Sequence, residues 1–294
     1  MNVESGTANA AHTRSFTEEE QHKTLKKVTF SSFLGNFIEW FDYASYSYLA
    51  TVIALVFFPG EDRFVAVMST FAVFALSFLV RPIGAIFWGN MGDKKGRKWA
   101  LSISILMMSG ATFLIGCLPG YAILGVGAPL LLLLLRIVQS FSAAGEYAGA
   151  ATFIAEYAPK NHRGFYCSMV PASTATGLLV GSLFATFMFN TWGATSDFVV
   201  DWGWRIPFLL ALPLGYITHY IRTHLEDSPV YEEMQEHLKQ QGSSVKHPIR
   251  TLFKKHLRVL IISFGACVLN AVGFYAVLTY CLLYTLTLAT ILLV

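Results

Sequence analysis

Six polar or ionisable side chains lie inside long apolar segments of this sequence. A charged group at the centre of a bilayer costs about 2.5–3.5 kcal/mol on insertion scales, so such residues usually face a bundle interior and serve a function. The six are Glu39, Asp42, Arg81, Arg136, Gln139 and Glu146. Carboxylates can hold protons and guanidinium groups can hold carboxylates, so the set predicts a cavity for a proton and a small solute.

The two acids of the first apolar segment lie one helical turn apart. Ser32, Gly35, Glu39, Asp42 and Tyr46 follow one another in steps of three and four residues, which places them on one helix face. A rise of about 1.5 Å per residue puts Glu39 and Asp42 near the middle of the membrane. Repulsion between adjacent carboxylates favours a proton on one of them. The alternative is a structural acid paired with a base on a neighbouring span.

Two arginines lie in later apolar segments. Arg81 directly precedes Pro82, and Arg136 shares a helix face with Gln139 and Glu146. A guanidinium in a low-dielectric cavity can clamp a carboxylate with two hydrogen bonds. The alternative is an internal salt bridge from either arginine to one of the acids, which would only hold helices in register. The same residues could also fill both roles at different stages of a cycle.

A decapeptide at residues 89–98 separates two apolar runs and contains three glycines, one acid and four bases. The glycines suit tight turns of the chain, and the charges of Asp93 and Arg97 can be held by neighbouring helix ends. An ordinary connector between membrane helices would need only polarity. The segment therefore indicates a moving part of a transporter.

The composition is that of a membrane protein. Of the 294 residues, 54% are hydrophobic and 13% are charged, and the mean hydropathy is +0.52. Soluble domains carry roughly twice that share of charge, about 25%. Apolar runs of about 20 residues predict an all-α polytopic membrane protein. The predicted spans are residues 29–57, 65–88, 99–118, 128–151, 165–190, 204–221 and 258–280.

The distribution of charge divides the chain into four regions. Residues 1–28 form a cytoplasmic tail, 29–222 a six-helix transport bundle, 223–257 a cytoplasmic linker, and 258–294 the truncated start of a C-terminal bundle. Most of the 21 Lys and Arg residues lie in the tail, the 89–98 segment, a turn at 160–163 and the linker. This bias places the N-terminus in the cytoplasm. The tail has no apolar core, so we expect no cleaved signal peptide.

Other function classes find little support in the sequence. The four cysteines lack both C-x-x-C spacing and a disulfide framework, and the eight histidines lack metal-ligand spacing. No nucleophile–base pair or phosphate-binding loop is recognisable. We therefore expect no enzyme activity, no metal and no nucleic-acid partner; the expected partners are a small solute, a proton and the lipid bilayer.

Together these segments resemble the major facilitator superfamily and, within it, the metabolite:proton symporter branch, which includes carriers of proline, glycine betaine, α-ketoglutarate and citrate. The 89–98 segment marks the superfamily, whereas Glu-Trp-Phe-Asp and Gly-Trp-Arg-Ile-Pro-Phe are specific to the branch. The similarity extends from about residue 28 to Tyr280. It is carried by residues 35–43, 79–84, 89–98, 136–139, 145–147 and 201–208.

The resemblance implies proton-coupled symport by alternating access across the bacterial inner membrane, driven by the proton gradient without a cofactor. The solute would be an osmolyte of the proline or glycine betaine type, or a small carboxylate such as α-ketoglutarate or citrate. Glu39, Asp42, Arg136 and Glu146 would line the central cavity. The cytoplasmic latch would comprise Gly89, Gly92, Asp93, Gly96 and Arg97, with Glu156 near the latch arginine.

Members of the superfamily consist of two six-helix halves, and the similarity of this chain stops after Tyr280. A second hypothesis is therefore that the chain is a truncated, transport-inactive N-terminal fragment of such a carrier. Such a chain would need the missing C-terminal half for activity.

Overall fold

A computed structural model describes residues 18–225, 229–240, 252 and 256–276, and the regular secondary structure within these ranges is helical. The all-α prediction is thus confirmed. The chain divides into two compact units, Met1–Gly242 and Ser243–Val294. The second unit contributes one long helix among the described residues, Leu257–Tyr275.

The first unit groups into six segments that correspond to the first six predicted spans, followed by a linker helix. The segments are α1–α2, α3–α4, α5, α7–α8, α9–α10 and α12. The helices are α1 (Glu18–Tyr48), α2 (Ala50–Phe57), α3 (Arg63–Phe78), α4 (Arg81–Lys95), α5 (Arg97–Cys117), α6 (Tyr121–Leu124), α7 (Gly127–Ala143), α8 (Glu146–Tyr157), α9 (Arg163–Cys167), α10 (Met169–Trp192), α11 (Asp197–Asp201), α12 (Ile206–Thr223) and α13 (Pro229–Gln240), with 3₁₀ turns at Lys160–His162 and Gly203–Arg205.

Four stretches within the described residues are long and apolar enough to cross a membrane: Arg63–Lys95, Arg97–Cys117, Gly127–Tyr157 and Lys160–Trp192. The apolar stretch of the second unit, Leu257–Gly273, is shorter. The first and sixth segments pack among these four. Both of these segments carry charged residues on their buried faces, and these residues make the sequences of the two segments more polar.

Glycines allow the central helices to approach closely. The most extensive contacts are those of α1 with α10 and of α5 with α12. A Cβ atom on Gly177 would lie 2.9 Å from both the Phe37 carbonyl oxygen and the Phe41 nitrogen, and one on Gly215 would overlap the side chain of Ser109. Small residues at such positions let helix backbones pack directly against each other, as membrane bundles require.

Four of the predicted spans are interrupted by short breaks, at residues 49, 79–80, 144–145 and 168, and two of these breaks have a clear local cause. α3 ends at Phe78 and α4 begins at Arg81, because Pro82 has no N–H to continue the helical hydrogen bonds and fits best in the first turn of a new helix. The fourth segment breaks between α7 and α8, where Gly145 lies against Trp88. A Cβ atom on Gly145 would lie 2.6 Å from the Trp88 Cβ.

The 89–98 segment is mostly helical, which corrects its interpretation as a series of tight turns. α4 continues to Lys95 and α5 begins at Arg97. Only Gly96 has a positive φ, 99°, and turns the chain. Gly92 instead makes room for a side chain, since a Cβ atom there would lie 3.0 Å from Nη1 of Arg97. A Cβ atom on Gly89 would meet nothing within 4 Å.

Apolar clusters alternate with charged groups along the bundle. One cluster surrounds Val28 and Phe153, a second surrounds Ile38 and Met108, and a third surrounds Tyr46, Trp204 and their neighbours. On α1 the buried acids Glu39 and Asp42 lie in sequence between the second and third clusters. The helix also begins at Glu18, inside the segment predicted as a tail.

Candidate functional site

Each of the three predicted interior acids pairs with an arginine. The pairs are Glu39–Arg81, Asp42–Arg136 and Glu146–Arg222. Each pair joins two different segments, so the charges are neutralised by tertiary packing and not within one helix. The three pairs differ in their hydrogen bonds and in their exposure, and those differences separate their roles.

The Asp42–Arg136 pair is closed to solvent. Nη1 of Arg136 donates to Oδ2 of Asp42 at 2.7 Å and to Oε1 of Gln139 at 2.7 Å. The Gln139 amide in turn donates to the Thr112 hydroxyl at 2.6 Å, which extends the network to α5. The guanidinium carbon of Arg136 also lies 3.8 Å from the centre of the Tyr46 ring. Oδ1 of Asp42 and Nη2 of Arg136 have no hydrogen-bond partner in the protein.

The Glu39–Arg81 pair is the accessible one. Nη2 of Arg81 contacts both Oε1 of Glu39 and the Tyr43 hydroxyl, and that hydroxyl donates to the same carboxylate oxygen at 3.1 Å. The Arg81 side chain is 26% exposed, whereas that of Glu39 is only 3% exposed. Oε2 of Glu39 and Nε of Arg81 lack protein partners. Both of these unpartnered atoms are buried, whereas the Arg81 side chain is partly exposed, so the pair has unused hydrogen-bonding capacity next to an accessible guanidinium.

Glu146 pairs with Arg222, which was not among the predicted cavity residues. Nη1 of Arg222 donates to Oε2 of Glu146 at 3.0 Å, and Nη2 contacts the other carboxylate oxygen. The same guanidinium donates to the carbonyl oxygens of Leu101, at 2.8 Å, and Ser31, at 3.2 Å. Gly35 leaves the space for this group, since a Cβ atom there would overlap Glu146 and Arg222.

Arg222 was missed by the sequence analysis, which ended the sixth span at residue 221 and did not name this arginine as a candidate site residue. The structure places it in the last turn of α12, with no exposed surface. A usable signal was present in the sequence. Thr218 and Arg222 are four residues apart and therefore share a helix face, and both prove to be fully buried.

The charged residues of the predicted latch also come together. Nη2 of Arg97 lies 3.1 Å from Oδ1 of Asp93, and Nε of Arg97 lies 3.7 Å from Oε1 of Glu156 on α8. A cavity of about 130 Å³ adjoins them, lined in part by Trp88, Gly92 and Arg97. In the described part of the chain, no group of His, Cys, Asp and Glu side chains is arranged to hold a metal ion.

Comparison with known proteins identifies the family. Residues 27–260 match the family described as "Sugar (and other) transporter". The chain belongs to this family. Its members are transporters and not enzymes, and the family lies within the major facilitator superfamily. Together with the apolar helices described above, membership makes the chain an integral membrane protein of that superfamily.

Curated relatives of this chain include transporters from bacteria. The proline/betaine transporter of Salmonella typhimurium is 40% identical over 261 residues, which cover 87% of this chain and 52% of the relative. The glycine betaine/proline/ectoine/pipecolic acid transporter OusA of Dickeya dadantii is 39% identical over 263 residues, with the same coverages of 87% and 52%. The chain thus spans about half the length of the curated relatives it matches.

Solved structures of the superfamily show the same fold. The proton:xylose symporter XylE bound to 6-bromo-6-deoxy-D-glucose superposes with a TM-score of 0.62 at 18% identity, over 75% of this chain and 48% of that one. An inward-open structure of the Escherichia coli xylose transporter XylE gives a TM-score of 0.59 at 17% identity, over 82% and 59%. The predicted bundle architecture is confirmed by these similarities.

Proposed function

We propose that this chain provides the proton- and solute-binding bundle of a proton-coupled symporter for a small osmolyte, working by alternating access. The observation that carries the proposal is the Glu39–Arg81 pair, which is partly exposed and incompletely hydrogen-bonded. Membership of a transporter family and relatives named as proline/betaine transporters support it. The protein would act in the bacterial inner membrane with its N-terminus in the cytoplasm.

Proton binding and solute binding would be coupled through Arg81. When Glu39 takes up a proton, it loses the charge that holds the guanidinium, and Arg81 becomes free to clamp the carboxylate of a solute. When the proton leaves, the carboxylate of Glu39 competes again for Arg81 and the solute is released. Because each ligand favours the binding of the other, the two would cross the membrane together.

The Asp42–Arg136–Gln139 network is a second element of the same site. Its unpartnered atoms, Oδ1 of Asp42 and Nη2 of Arg136, are buried in the conformation described here. In another stage of the cycle Oδ1 of Asp42 would accept a proton or a hydrogen bond from the solute, and Nη2 of Arg136 would donate a hydrogen bond to it. Glu146 is not given this role, because both of its carboxylate oxygens contact Arg222.

The charge balance of the site favours a zwitterion over a dicarboxylate. Each of the three buried acids is matched by an arginine, so the described interior has no excess positive charge to hold α-ketoglutarate or citrate. Protonation of Glu39 frees the single positive charge of Arg81, which matches the one carboxylate of a zwitterion and not the several carboxylates of α-ketoglutarate or citrate. The solutes named for the relatives, proline and betaine among them, have this character.

The 89–98 segment would serve as the cytoplasmic latch of the outward-facing state, through Gly89, Gly92, Asp93, Gly96 and Arg97, with Glu156. The contacts of Arg97 with Asp93 and Glu156 support this assignment, since they fasten the end of α4 to α8 through the start of α5. Conformational change would require these contacts to break and form again.

Uptake of labelled solutes tests the proposal. Cells that express the chain should accumulate proline or glycine betaine in preference to α-ketoglutarate and citrate, and a protonophore should abolish accumulation. Glu39→Gln and Asp42→Asn should each remove the dependence of uptake on the pH gradient. Glu61→Gln, at an exposed position outside the helices, is the matched control. Unchanged pH-dependent uptake in both amide variants would contradict the assignment.

The length of the relatives supports a second candidate, that the chain is inactive in transport without a second half. Its test is the same uptake assay with and without a separately expressed C-terminal half from a relative. Accumulation that appears only with the added half would favour this candidate. Accumulation by the chain alone would reject it.

A further inference from the structure

Three aromatic rings form a closed cluster beside Arg81. The ring centres of Tyr43 and Phe74 lie 5.5 Å apart, those of Tyr43 and Phe78 5.6 Å, and those of Phe74 and Phe78 4.9 Å. Each ring therefore contacts the other two. We call Tyr43, Phe74 and Phe78 the aromatic triad.

The triad already holds a cation. The guanidinium carbon of Arg81 lies 4.8 Å from the centre of the Phe78 ring and 5.1 Å from that of Tyr43. Both distances lie within the range of about 6 Å over which the negative face of an aromatic ring attracts a positive charge. Phe78 ends α3 and Arg81 begins α4, so the helix break before Pro82 brings ring and cation together.

We propose that the aromatic triad binds the quaternary ammonium group of a methylated zwitterionic solute, which replaces the Arg81 guanidinium over the rings. The proposal rests on the proposed function of this site as a solute-binding site. A trimethylammonium group has no N–H to donate, so hydrogen bonds cannot hold it. Aromatic faces can, and rings grouped around a cation are the established means by which proteins recognise such groups.

When the ammonium group of the solute replaces the Arg81 guanidinium over the rings, both charged ends of the solute gain a binding partner. As the ammonium group takes the place of the guanidinium over Tyr43 and Phe78, the faces of the rings hold it, and the protonated Glu39 stays beside the Tyr43 hydroxyl. The displaced guanidinium of Arg81 is then free to pair with the carboxylate of the solute. No bond forms or breaks; two cations change places and one ion pair replaces another.

A comparable contact nearby lacks the same access. The guanidinium carbon of Arg136 lies 3.8 Å from the centre of the Tyr46 ring, which stacks on Phe74 at 5.4 Å. The side chain of Arg136 is only 1% exposed, compared with 26% for Arg81. A solute that enters the site therefore meets the triad first.

Direct binding to the full 294-residue chain tests the proposal. The chain is reconstituted in lipid nanodiscs, and labelled glycine betaine and labelled proline are measured by equilibrium dialysis. Proline has N–H groups that can donate hydrogen bonds to Glu39, so its binding depends less on the rings. Phe78→Leu should weaken glycine betaine binding by on the order of tenfold, the upper part of the range for one cation–π contact, and proline binding by no more than about twofold.

Changes to the ring at Phe78 distinguish binding of the ammonium group by the ring from the contribution of the ring to packing. Phe78→Tyr keeps an electron-rich ring and should retain glycine betaine binding, whereas stepwise fluorination of a phenylalanine at this position should weaken binding with each added fluorine. Phe71→Leu, which removes an exposed ring from the same helix, is the matched control and should leave both affinities unchanged. Thermal unfolding of each variant checks that the fold is retained.

The results distinguish this proposal from the proposed function. Three results would each contradict the proposal that the triad binds the ammonium group. They are the absence of glycine betaine binding by the unaltered chain, equal losses of affinity for both solutes in Phe78→Leu, and affinity that does not change with fluorination. If one of these results is found while uptake is still proton-coupled, the triad proposal fails and the transport proposal stands. If the triad binds glycine betaine as expected while uptake is absent, only the transport proposal fails.

Discussion

The three arginines that pair with the interior acids differ in how many protein groups hold them, and that difference sets how readily each ion pair can open. Arg222 contacts both oxygens of Glu146 and two backbone carbonyls, and has no exposed surface. Arg81 contacts one carboxylate oxygen and one hydroxyl, and is partly exposed. An exchangeable pair must be able to replace its partners. Arg81 meets that condition, and Arg222 serves to hold segments one, three, four and six together.

Removing Arg222 should destabilise the bundle without touching the solute site. Arg222→Met leaves the Glu146 carboxylate buried without a counter-charge, which costs about 3–5 kcal/mol for a pair of this kind. The double variant Arg222→Met with Glu146→Met removes both charges and should recover most of that loss. Thermal unfolding in detergent, followed by size-exclusion chromatography, measures both effects.

Arg63→Met is the control for this series, because Arg63 is exposed at the start of α3. It should leave the unfolding temperature close to that of the unaltered protein. A double variant as unstable as Arg222→Met alone would show that the arginine contributes through its backbone contacts to Leu101 and Ser31 and not through Glu146.

The helical period of the first segment predicted the buried face but not the partners. Glu39 and Asp42 are both buried, as their spacing with Gly35 and Tyr46 indicated. Which arginine each acid meets depends on how the segments pack, and periodicity along one helix carries no information about that. Arg222 escaped notice because the predicted span ended at residue 221, one residue before it, whereas α12 continues to Thr223.

At the scale of the elements, breaks two residues long determine the geometry of the site. Hydropathy is read over windows of about 19 residues, so it predicted residues 65–88 as one continuous span. The structure divides that region at Leu79 and Val80, and the division places Phe78 and Arg81 against the same ring of Tyr43. Pro82 was visible in the sequence, but its consequence depends on the packing of α1 against the break.

The glycines of the 89–98 segment show how one residue type serves different ends. Gly96 supplies a backbone conformation that other residues adopt with difficulty, with φ 99° and ψ 151°. Gly92 supplies space beside Arg97, and Gly89 has neither constraint. Composition alone suggests turns for all three. Only the observed dihedral angles and contacts separate them.

Gly96→Ala should therefore be costly and Gly89→Ala tolerated. A side chain at the Gly96 dihedral angles carries strain of about 1–3 kcal/mol, which the α4–α5 junction can relieve only by opening. Hydrogen exchange of the backbone amides at residues 94–100 should become faster in Gly96→Ala and stay unchanged in Gly89→Ala. Equal exchange rates in the two variants would show that the junction does not depend on the positive φ of Gly96.

At the scale of the whole molecule, the first unit has a basic end. The bases of the 89–98 segment lie there, and the linker helix α13 lies beside them, because the Tyr231 hydroxyl donates a hydrogen bond to the Lys94 carbonyl oxygen at 3.1 Å. The connection between α2 and α3 contains Glu61 and Asp62, is followed by Arg63 at the start of α3, and lies one span away from that end. The orientation that we propose, following the positive-inside rule, has this basic end in the cytoplasm.

Cysteine labelling tests that orientation. In a chain whose own cysteines are replaced by serine, Lys94→Cys should react with a membrane-impermeant maleimide only after the cells are permeabilised, because its side chain would face the cytoplasm. Glu61→Cys, at the other end of the second segment, should react in intact cells. Both positions are exposed, so access to the reagent depends on the side of the membrane and not on burial within the bundle.

The cysteine-free chain controls for background labelling. Reaction of Lys94→Cys in intact cells would reverse the proposed topology, and would place the Arg97 latch on the outer face.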